Sequence, residues 1–193
     1  MAGLGSDWDR LAAGYSRQVR WERAALAAAV DIAGFEGGET LVDLGTGTGA
    51  LLAEAAGRDP RPRVAIGVDT SPEMLARVPP LPDGWHVIDG AADALPLEPG
   101  SADVVTAAYL LHLIDPGPAL AEARRVLAPG GRVVCVTPFA RGPAAALLKA
   151  AAAVTPGLRP MDTRPVLERA GLTVWRARTI RRGYPSLCVL AGR

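Results

Sequence analysis

Three glycines at alternating positions, Gly45, Gly47 and Gly49, follow an apolar β-branched run and precede a helical pattern. Glycine lets the backbone turn sharply and approach a ligand without interference from a Cβ atom, and the start of the next helix offers N–H groups that have no partner within the helix. This arrangement is typical of a loop that binds a nucleotide cofactor. Gly45, Gly47 and Ala50 also satisfy the relaxed dinucleotide fingerprint, so the glycines alone do not choose between cofactors.

A carboxylate, Asp69, closes the second predicted strand. At that place a carboxylate accepts hydrogen bonds from the ribose hydroxyls of a nucleotide cofactor. The alternative is that Asp69 only caps the next helix, but Ser71 already occupies the capping position and Pro72 the first helical position. We therefore expect Asp69 to bind a ribose, whichever cofactor carries it.

The elements that must position these residues alternate along nearly the whole chain. Apolar strands followed by alanine-rich helical patterns predict βαβ units and a largely parallel sheet with helices on both faces. The predicted strands are 40–44, 64–68, 85–88, 103–108 and 132–137, the last after a tight turn at 129–131, and then a closing hairpin over 172–180 and 186–190. The predicted helices are 7–33, 51–56, 72–78, 115–127, 143–154 and 163–170. No linker divides the chain, which predicts a single domain over 1–193.

Composition restricts the class of protein. The 193 residues are 49% hydrophobic and carry a formal charge of +1, which suits one globular domain without a global field for nucleic acid or a membrane surface. Neither a signal-peptide core nor an apolar stretch of membrane-spanning length is present, which predicts a cytoplasmic protein. Cys135 and Cys188 lie in apolar runs and are expected to be reduced core residues. Neither cysteine and neither histidine has a partner at zinc-ligand spacing, so no metal is expected.

Positive charge is concentrated near the end of the chain. Residues 159–193 hold eight arginines and two acidic residues, so this segment carries +6 and the rest of the chain −5. The asymmetry admits an anionic or nucleic-acid substrate. We favour the alternative that Arg176 and Arg178 alternate along an edge strand, where charge discourages aggregation between strands. No aromatic ladder for stacking on bases accompanies the arginines, so nucleic acid is not the expected partner.

The glycine loop and the segments that follow it resemble the motifs of the class I S-adenosylmethionine-dependent methyltransferases, particularly the small-molecule branch around the quinone-biosynthesis enzymes. In chain order, the segments are LVDLGTGTG at 41–49, GVDTSPEML at 67–75, GAADALPL at 90–97, GSADVV at 100–105, LLH at 110–112, DP at 115–116, Glu122 with RVL at 125–127, and PGG at 129–131. Several motifs in one order are far more specific than any one of them. Asp43, two places before the first glycine, is a residue that dehydrogenases seldom need.

This resemblance implies an α/β, Rossmann-like methyltransferase fold. The sheet would have seven mostly parallel strands in the order 3-2-1-4-5-7-6, with strand 7 antiparallel and helices on both faces. The resemblance also implies S-adenosyl-L-methionine as cofactor, S-adenosyl-L-homocysteine as product and a small-molecule methyl acceptor. Asp69 would hold the ribose, and Met74 would pack near the adenine. The residues expected at the cofactor are Tyr15, Asp43, Gly45, Thr46, Gly47, Gly49, Asp69, Thr70, Met74, Ala91, Ala92 and Ala108.

One position departs from the family pattern. Many relatives have Asp where this chain has Ala91 and use it to accept a hydrogen bond from the adenine amino group. We expect that contact from Asp89 or Asp93, or else its loss. The departure keeps open the alternative of a non-catalytic scaffold that binds S-adenosylmethionine. An NAD-dependent oxidoreductase is disfavoured because 193 residues leave no room for a substrate domain.

Methyl transfer requires little from the protein beyond alignment. A sulfonium methyl group is already electrophilic, so the protein has to orient the acceptor and, where the acceptor is protonated, remove its proton. Open α/β sheets bind ligands at the carboxyl ends of their strands, which places residues 107–112 at the reacting end. His112 is the candidate base, since an unperturbed histidine has a pKa of about 6.5. The alternative is that His112 packs at a helix start against the adenosine. Tyr109 either orients a substrate oxygen or buries its ring with its hydroxyl satisfied.

Acceptor specificity is expected in two segments, an N-terminal helical cap at 1–33 and an inserted lid at 139–161. Trp8 and Tyr15 resemble the family's N-terminal segment, which closes over the cofactor, although aromatic residues of this kind also dock ordinary helices. The second segment contains an apolar helical pattern that suits a lid over a small, partly apolar acceptor. The same pattern suits a dimer face or a core cover, so a homodimer is an open alternative.

Overall fold

Seven strands form one sheet in the described part of the chain. The computed structural model describes residues 4–142, 145, 146, 148, 150 and 159–193, with side chains from residue 19 onward. The strands are β1 (Thr40–Leu44), β2 (Val64–Asp69), β3 (His86–Asp89), β4 (Ala102–Ala108), β5 (Leu127–Pro138), β6 (Thr173–Ile180) and β7 (Ser186–Gly192). The helices used below are α1 (Leu4–Ala33), α2 (Ala50–Ala56), α3 (Pro72–Leu75), α4 (Pro116–Val126) and α5 (Arg164–Arg169).

The strand order is β3-β2-β1-β4-β5-β7-β6, which confirms the predicted order. Pairing is parallel from β3 through β5, and β7 runs antiparallel to both β5 and β6, as predicted. Parallel strands joined by helical crossovers have their carboxyl ends at one edge of the sheet. The loops after β1, β2, β3 and β4 therefore meet at that edge, beside the point where the strand order reverses between β1 and β4.

Each face of the sheet has its own apolar core, because successive side chains of a strand point to opposite faces. One core contains Leu120 of α4 and Leu167 of α5, and the other contains Leu26 of α1. The central strands are buried on both faces, as a parallel sheet covered by helices requires. Cys135 belongs to the first core and Cys188 to the second, and both are buried free thiols, in agreement with the sequence prediction.

Two helices at the carboxyl edge of the sheet begin where the sequence predicts, and each has a side-chain cap. The hydroxyl of Ser71 accepts a hydrogen bond from Met74 N at 3.2 Å, and Pro72 takes the first position of α3. At the start of α4, Oδ1 of Asp115 accepts a bond from Gly117 N at 3.1 Å. These caps set where both helices begin and therefore where the preceding loops end.

Helix α3 is shorter than predicted. It ends at Leu75 rather than at Val78. The chain leaves the helix through tighter bonds between residues three apart, from Arg77 N to Met74 O at 3.0 Å and from Val78 N to Leu75 O at 3.1 Å. Pro79 then has no N–H, so the helix cannot continue beyond Val78.

Strand β5 begins earlier than predicted. The expected turn at 129–131 lies within the strand, in a bulge between the pairs Ala102–Leu127 and Val104–Arg132. Gly130 has a φ of 77° in this bulge, a conformation that glycine adopts without strain. Local turn chemistry is therefore present, but the neighbouring β4 strand pairs with the chain on both sides of it.

The end of helix α1 is hydrogen-bonded to β5 through the side chain of Arg132. The guanidinium of Arg132 donates to the carbonyls of Ala33 and Gly34, the latter at 2.8 Å, and to the carboxylate of Glu39 at 3.2 Å. Carbonyl groups at the end of a helix have no partner within the helix, so Arg132 satisfies groups that would otherwise need water. The contact fixes the end of α1 against the sheet.

Three predictions concern segments or groups beyond the sheet. Among the described residues, no helix is both long and apolar enough to cross a membrane. In the same part of the chain, no three metal-ligating side chains come together. Most of the predicted helix at 143–154, and with it the centre of the predicted lid at 139–161, lies outside the described residues.

Candidate functional site

The loops at the carboxyl edge of the sheet enclose a cavity of about 420 Å³. Its volume lies in the range of small-molecule pockets, about 300–1,000 Å³. The walls come from the loops after β1, β2, β3 and β4 and from the start of α4. Nine residues predicted for the site line the cavity: Gly45, Gly47, Asp69, Thr70, Met74, Ala91, Ala92, Ala108 and Tyr109.

Two glycines bring the backbone directly to the cavity wall. Gly45 and Gly47 have φ values of 64° and 55°, a conformation that residues with a Cβ atom rarely adopt. A Cβ atom at Gly45 would lie 2.8 Å from Cδ1 of Leu110, closer than real contacts allow. Thr46 N donates to the carbonyl of Val68 at 3.0 Å and so ties the loop to β2. The backbone conformation and the close packing of Leu110 therefore require glycine at position 45, and the close approach of a ligand to this loop stays a prediction.

The carboxylate of Asp69 joins the loops after β1 and β2. One oxygen accepts a hydrogen bond from Gly47 N at 2.8 Å, and the other accepts one from Ser71 N at 3.0 Å. A carboxylate oxygen has two lone pairs, so each oxygen retains capacity for a hydroxyl donor in the cavity. Burial raises the pKa of Asp69, and the N–H groups that donate to it oppose that shift. Because Ser71 caps α3, Asp69 is not occupied as the helix cap.

Asp43 lies beneath the glycine loop and is not among the residues that line the cavity. It is 2% exposed, and its Oδ1 accepts a hydrogen bond from the hydroxyl of Thr106 at 2.7 Å. Burial raises the pKa of Asp43 to about 6, and the negative charge of Asp69 adds to the shift. The structure therefore places this carboxylate behind the wall of the cavity, where it supports the loop.

A third wall follows β3. Gly90 N donates to the carbonyl of Asp69 at 3.0 Å, which connects this wall to β2. Ala91 and Asp93 line the cavity, whereas Asp89 does not. Ala91 offers a methyl group and its backbone only, so Asp93 is the side chain of this wall that accepts hydrogen bonds.

Tyr109 lines the cavity, but its hydroxyl is bonded elsewhere. Among the described residues it is the one non-glycine residue with a positive φ, 56°, directly after β4. Its hydroxyl lies 2.7 Å from Oγ of Ser186, which donates in turn to the carbonyl of Tyr184, so Tyr109 is the donor of the first bond. Burial raises the pKa of Tyr109. This geometry matches a buried ring with a satisfied hydroxyl, and a catalytic role for Tyr109 stays a prediction.

His112 lies in the loop between β4 and α4 and is not among the residues that line the cavity. It is 8% exposed, and its ring meets the ring of Tyr109 edge-on, with centroids 6.5 Å apart and planes at 81°. Leu110 and Leu113, on either side of it in sequence, do line the cavity. The role of His112 as a base stays a prediction.

The remaining predicted residues lie away from the cavity or outside the description. Thr46 is 6% exposed and Gly49 caps α2, and neither lines the cavity. Tyr15 belongs to α1, but its side chain is outside the described residues. The lining includes residues that the sequence analysis did not assign: Val68, Gly90, Leu113, Ile114, Asp115 and Pro118. The predicted helix start at Asp115 could have indicated the lining residues at the start of α4, because that helix begins at the same edge of the sheet.

Comparison with known proteins supports the motifs found in the sequence. Residues 42–135 match the protein family described as "Methyltransferase domain". A demethylmenaquinone methyltransferase from Thermus thermophilus is 38% identical over 125 residues, which cover 62% of this chain and 54% of the relative. A ubiquinone/menaquinone biosynthesis C-methyltransferase from Desulfotalea psychrophila is 39% identical over 122 residues, which cover 61% and 47%. The chain thus spans about half the length of these two relatives.

A solved structure has the same fold over nearly the whole chain. It is a complex between the Haloferax volcanii Trm112 methyltransferase activator and a methyltransferase. The matching chain has a TM-score of 0.78 and 23% identity, with 96% of both chains covered. At this identity the likeness concerns the fold.

The buried Asp43 makes the stability of the folded chain depend on pH. The ordinary pKa of an aspartic acid side chain is 3.8, whereas in the folded chain that of Asp43 is about 6. Between these values the folded state holds a proton that the unfolded state has lost. The free energy of unfolding therefore falls as the pH rises through this window, by about 3 kcal/mol, and the contribution is level above it.

Urea unfolding of the wild-type protein and of Asp43→Asn, from about pH 4 to about pH 7, measures this effect. The variant has no proton to lose at this position. Its free energy of unfolding relative to that of the wild type should therefore rise by about 3 kcal/mol as the pH increases through this window. A difference between the two proteins that stays constant with pH would contradict the assignment.

Proposed function

We propose that the chain is a class I S-adenosylmethionine-dependent methyltransferase that transfers a methyl group from S-adenosylmethionine to a small-molecule acceptor; the match of residues 42–135 to a methyltransferase domain supports this. The observation that carries this proposal is the cavity at the carboxyl edge of the sheet, where the glycine loop meets the carboxylate of Asp69. Bound S-adenosylmethionine supplies a methyl group on a positively charged sulfur, which is electrophilic without further activation. The chain therefore has to bind, orient and exclude water, and a large set of catalytic side chains is not needed.

The residues of the cavity fit this cofactor at its sugar and at its base. Asp69 has acceptor capacity left for two ribose hydroxyls, since each of its oxygens accepts one N–H bond. Gly45 and Gly47 present backbone without side chains, which admits close approach of the rest of the cofactor. Met74 and Leu110 supply apolar surface in the same cavity, and we assign Met74 to the face of the adenine.

The adenine amino group needs an acceptor that Ala91 lacks. Of the two nearby carboxylates, Asp93 lines the cavity and Asp89 does not. We assign Asp93 to the amino group for that reason. The assignment explains how the chain retains recognition of the base although it departs from the family at Ala91.

Acceptor binding is assigned to the open side of the cavity. Helix α1 would act as a cap over the reacting end, with Tyr15 among its residues, and residues 139–161 as a lid. Two relatives are named for methylation in menaquinone biosynthesis, so a demethylmenaquinone-like quinol is the first acceptor class to screen. His112 is the candidate base for a protonated acceptor, because it is the histidine of the loop that forms the cavity wall after β4.

Calorimetric binding of S-adenosylmethionine, S-adenosylhomocysteine and NAD to one preparation tests the cofactor. We expect both sulfur nucleosides to bind and NAD to be rejected. Asp69→Ala should lower the binding free energy by about 1–3 kcal/mol, because the ribose hydroxyls lose a charged acceptor. A preference for NAD would overturn the proposed reaction, and binding of none of the three would favour a degenerate scaffold that no longer binds a cofactor. Unchanged affinity in the variant would remove Asp69 from the ribose site.

A second pair of variants tests recognition of the base. Asp93→Ala should weaken binding of S-adenosylhomocysteine about tenfold, roughly 1.4 kcal/mol, because the amino group loses its acceptor. Asp89→Ala removes a carboxylate at the end of β3 that does not line the cavity, so it serves as the matched control and should retain affinity. The analogue that carries a carbonyl oxygen in place of the amino group presents an acceptor to the Asp93 carboxylate, so it should bind Asp93→Ala at least as tightly as Asp89→Ala. Equal losses in the two variants would count against Asp93.

The role of His112 is tested with His112→Gln and the acceptor found in the screen. If His112 takes the acceptor proton, kcat should fall about a hundredfold or more while affinity for S-adenosylhomocysteine is retained. The acidic limb of the pH–rate profile should be lost at the same time. Full turnover at every pH would instead assign His112 to packing against Tyr109.

A further inference from the structure

Glu122 and Arg125 form a two-bond ion pair one turn apart on α4. Nε of Arg125 donates to Oε1 of Glu122 at 2.6 Å, and Nη2 donates to Oε2 at 2.7 Å. Parallel bonds of this kind hold a guanidinium and a carboxylate in one relative orientation. The bonds from Arg125 lower the pKa of Glu122, so the carboxylate is ionised at neutral pH.

The Glu122–Arg125 pair also holds the chain that follows β3. Leu95 N donates to Oε2 of Glu122 at 2.8 Å, and Nη2 of Arg125 donates to the carbonyl of Leu95 at 3.0 Å. Nη1 of Arg125 donates to the carbonyl of Leu97 at 2.8 Å. The N–H and the carbonyl of Leu95 and the carbonyl of Leu97 are thus bonded to side chains of α4. Leu95 itself is 5% exposed and packs into the core next to α4.

The segment that these bonds hold is residues 90–97, here called the base-wall loop. Its first residues, including Ala91 and Asp93, line the cavity, and Gly90 N is bonded to the carbonyl of Asp69. The loop is therefore held by β2 at one end and by the Glu122–Arg125 pair at the other. Neither Glu122 nor Arg125 lines the cavity.

We propose that Glu122 and Arg125 are positioning residues for cofactor binding, which act by holding the base-wall loop in its bound conformation. The inference rests on the proposed function in so far as it names S-adenosylmethionine. With Ala91 in place of a carboxylate, recognition of the base depends on Asp93 and on the loop backbone, and both are placed by the anchors of the loop. A loop that is ordered before binding does not lose conformational entropy when the ligand arrives, so release of one anchor weakens binding without removing a ligand contact.

A second ion pair provides a matched control. Glu54 lies on α2 and Arg58 follows the end of that helix, also one turn away. Nη2 of Arg58 is 3.0 Å from Oε1 of Glu54. The side chains of Glu54 and Arg58 are 22% and 33% exposed, and those of Glu122 and Arg125 are 19% and 33% exposed. Arg58 also donates to the carbonyl of Ala27 on α1, at 3.3 Å. Neither Glu54 nor Arg58 contacts the base-wall loop through a hydrogen bond found among the described residues.

The experiment compares Glu122→Gln and Arg125→Lys with Glu54→Gln and Arg58→Lys in the full chain. Amide hydrogen exchange without ligand reports whether the base-wall loop is held, and calorimetry reports the Kd for S-adenosylhomocysteine. We expect the first two variants to exchange faster at residues 90–97 and to bind about tenfold more weakly or worse, with kcat at saturating S-adenosylmethionine unchanged. The control variants should keep both values within about twofold of the wild type, even where their thermal stability falls by a similar amount.

An exchanged pair, Glu122→Arg with Arg125→Glu, separates the ion pair from the loop contacts. It retains opposite charges one turn apart but presents a carboxylate to the carbonyls of Leu95 and Leu97, so it should not restore affinity. Restored affinity, unchanged exchange at residues 90–97, or an equal loss of affinity in the control variants would each overturn the inference. If the wild-type protein binds no sulfur nucleoside, the proposed function and its cofactor are overturned. If the wild type and the variants bind equally well, only the positioning role of Glu122 and Arg125 is overturned.

Discussion

The carboxylate of Asp69 is the group on which the geometry of the cavity depends. Its two oxygens accept hydrogen bonds from Gly47 N and Ser71 N, and the backbone carbonyl of the same residue accepts one from Gly90 N. Asp69 therefore connects the loops after β1, β2 and β3. A buried N–H without an acceptor costs about 1–3 kcal/mol, which makes these bonds a strong constraint on loop position. The residue that assembles the three loops also borders the cavity, so its charge is available to a ligand.

A second carboxylate strengthens the negative potential at this edge of the sheet. Asp43 is buried below the glycine loop, and the hydroxyl of Thr106 on the neighbouring strand donates to its carboxylate at 2.7 Å. Burial raises the pKa of Asp43, and the negative charge of Asp69 adds to that shift. Carboxylates in such a low-dielectric setting favour a ligand with positive charge, in agreement with a sulfonium cofactor.

Local patterns were sufficient wherever the chemistry is local. The apolar run before the glycines predicted β1 residue for residue, and Ser71 and Asp115 marked two helix starts correctly, because a cap is made by residues within one turn. The turn at 129–131 is present, but the start of β5 was predicted five residues too late because pairing with β4 continues on both sides of the turn. Within the site, Gly45, Gly47 and Asp69 line the cavity, whereas Gly49, Asp43 and His112 do not. Which way a side chain points after a strand ends depends on its packing neighbours, as the positive φ of Tyr109 illustrates.

The sequence by itself determined the order of strands and helices along the chain, because that order follows from hydrophobic periodicity. It also determined where glycine is needed after β1 and which acidic residue ends β2, because both belong to motifs of consecutive residues. Tertiary structure alone decided that Asp93 rather than Asp89 faces the cavity and that Glu122 and Arg125 hold Leu95. These contacts join residues far apart in the chain, and their geometry depends on how α4 packs against the sheet. Hydrogen bonds form only within a few tenths of an ångström of their ideal length. Packing places the groups with that precision, and sequence spacing does not.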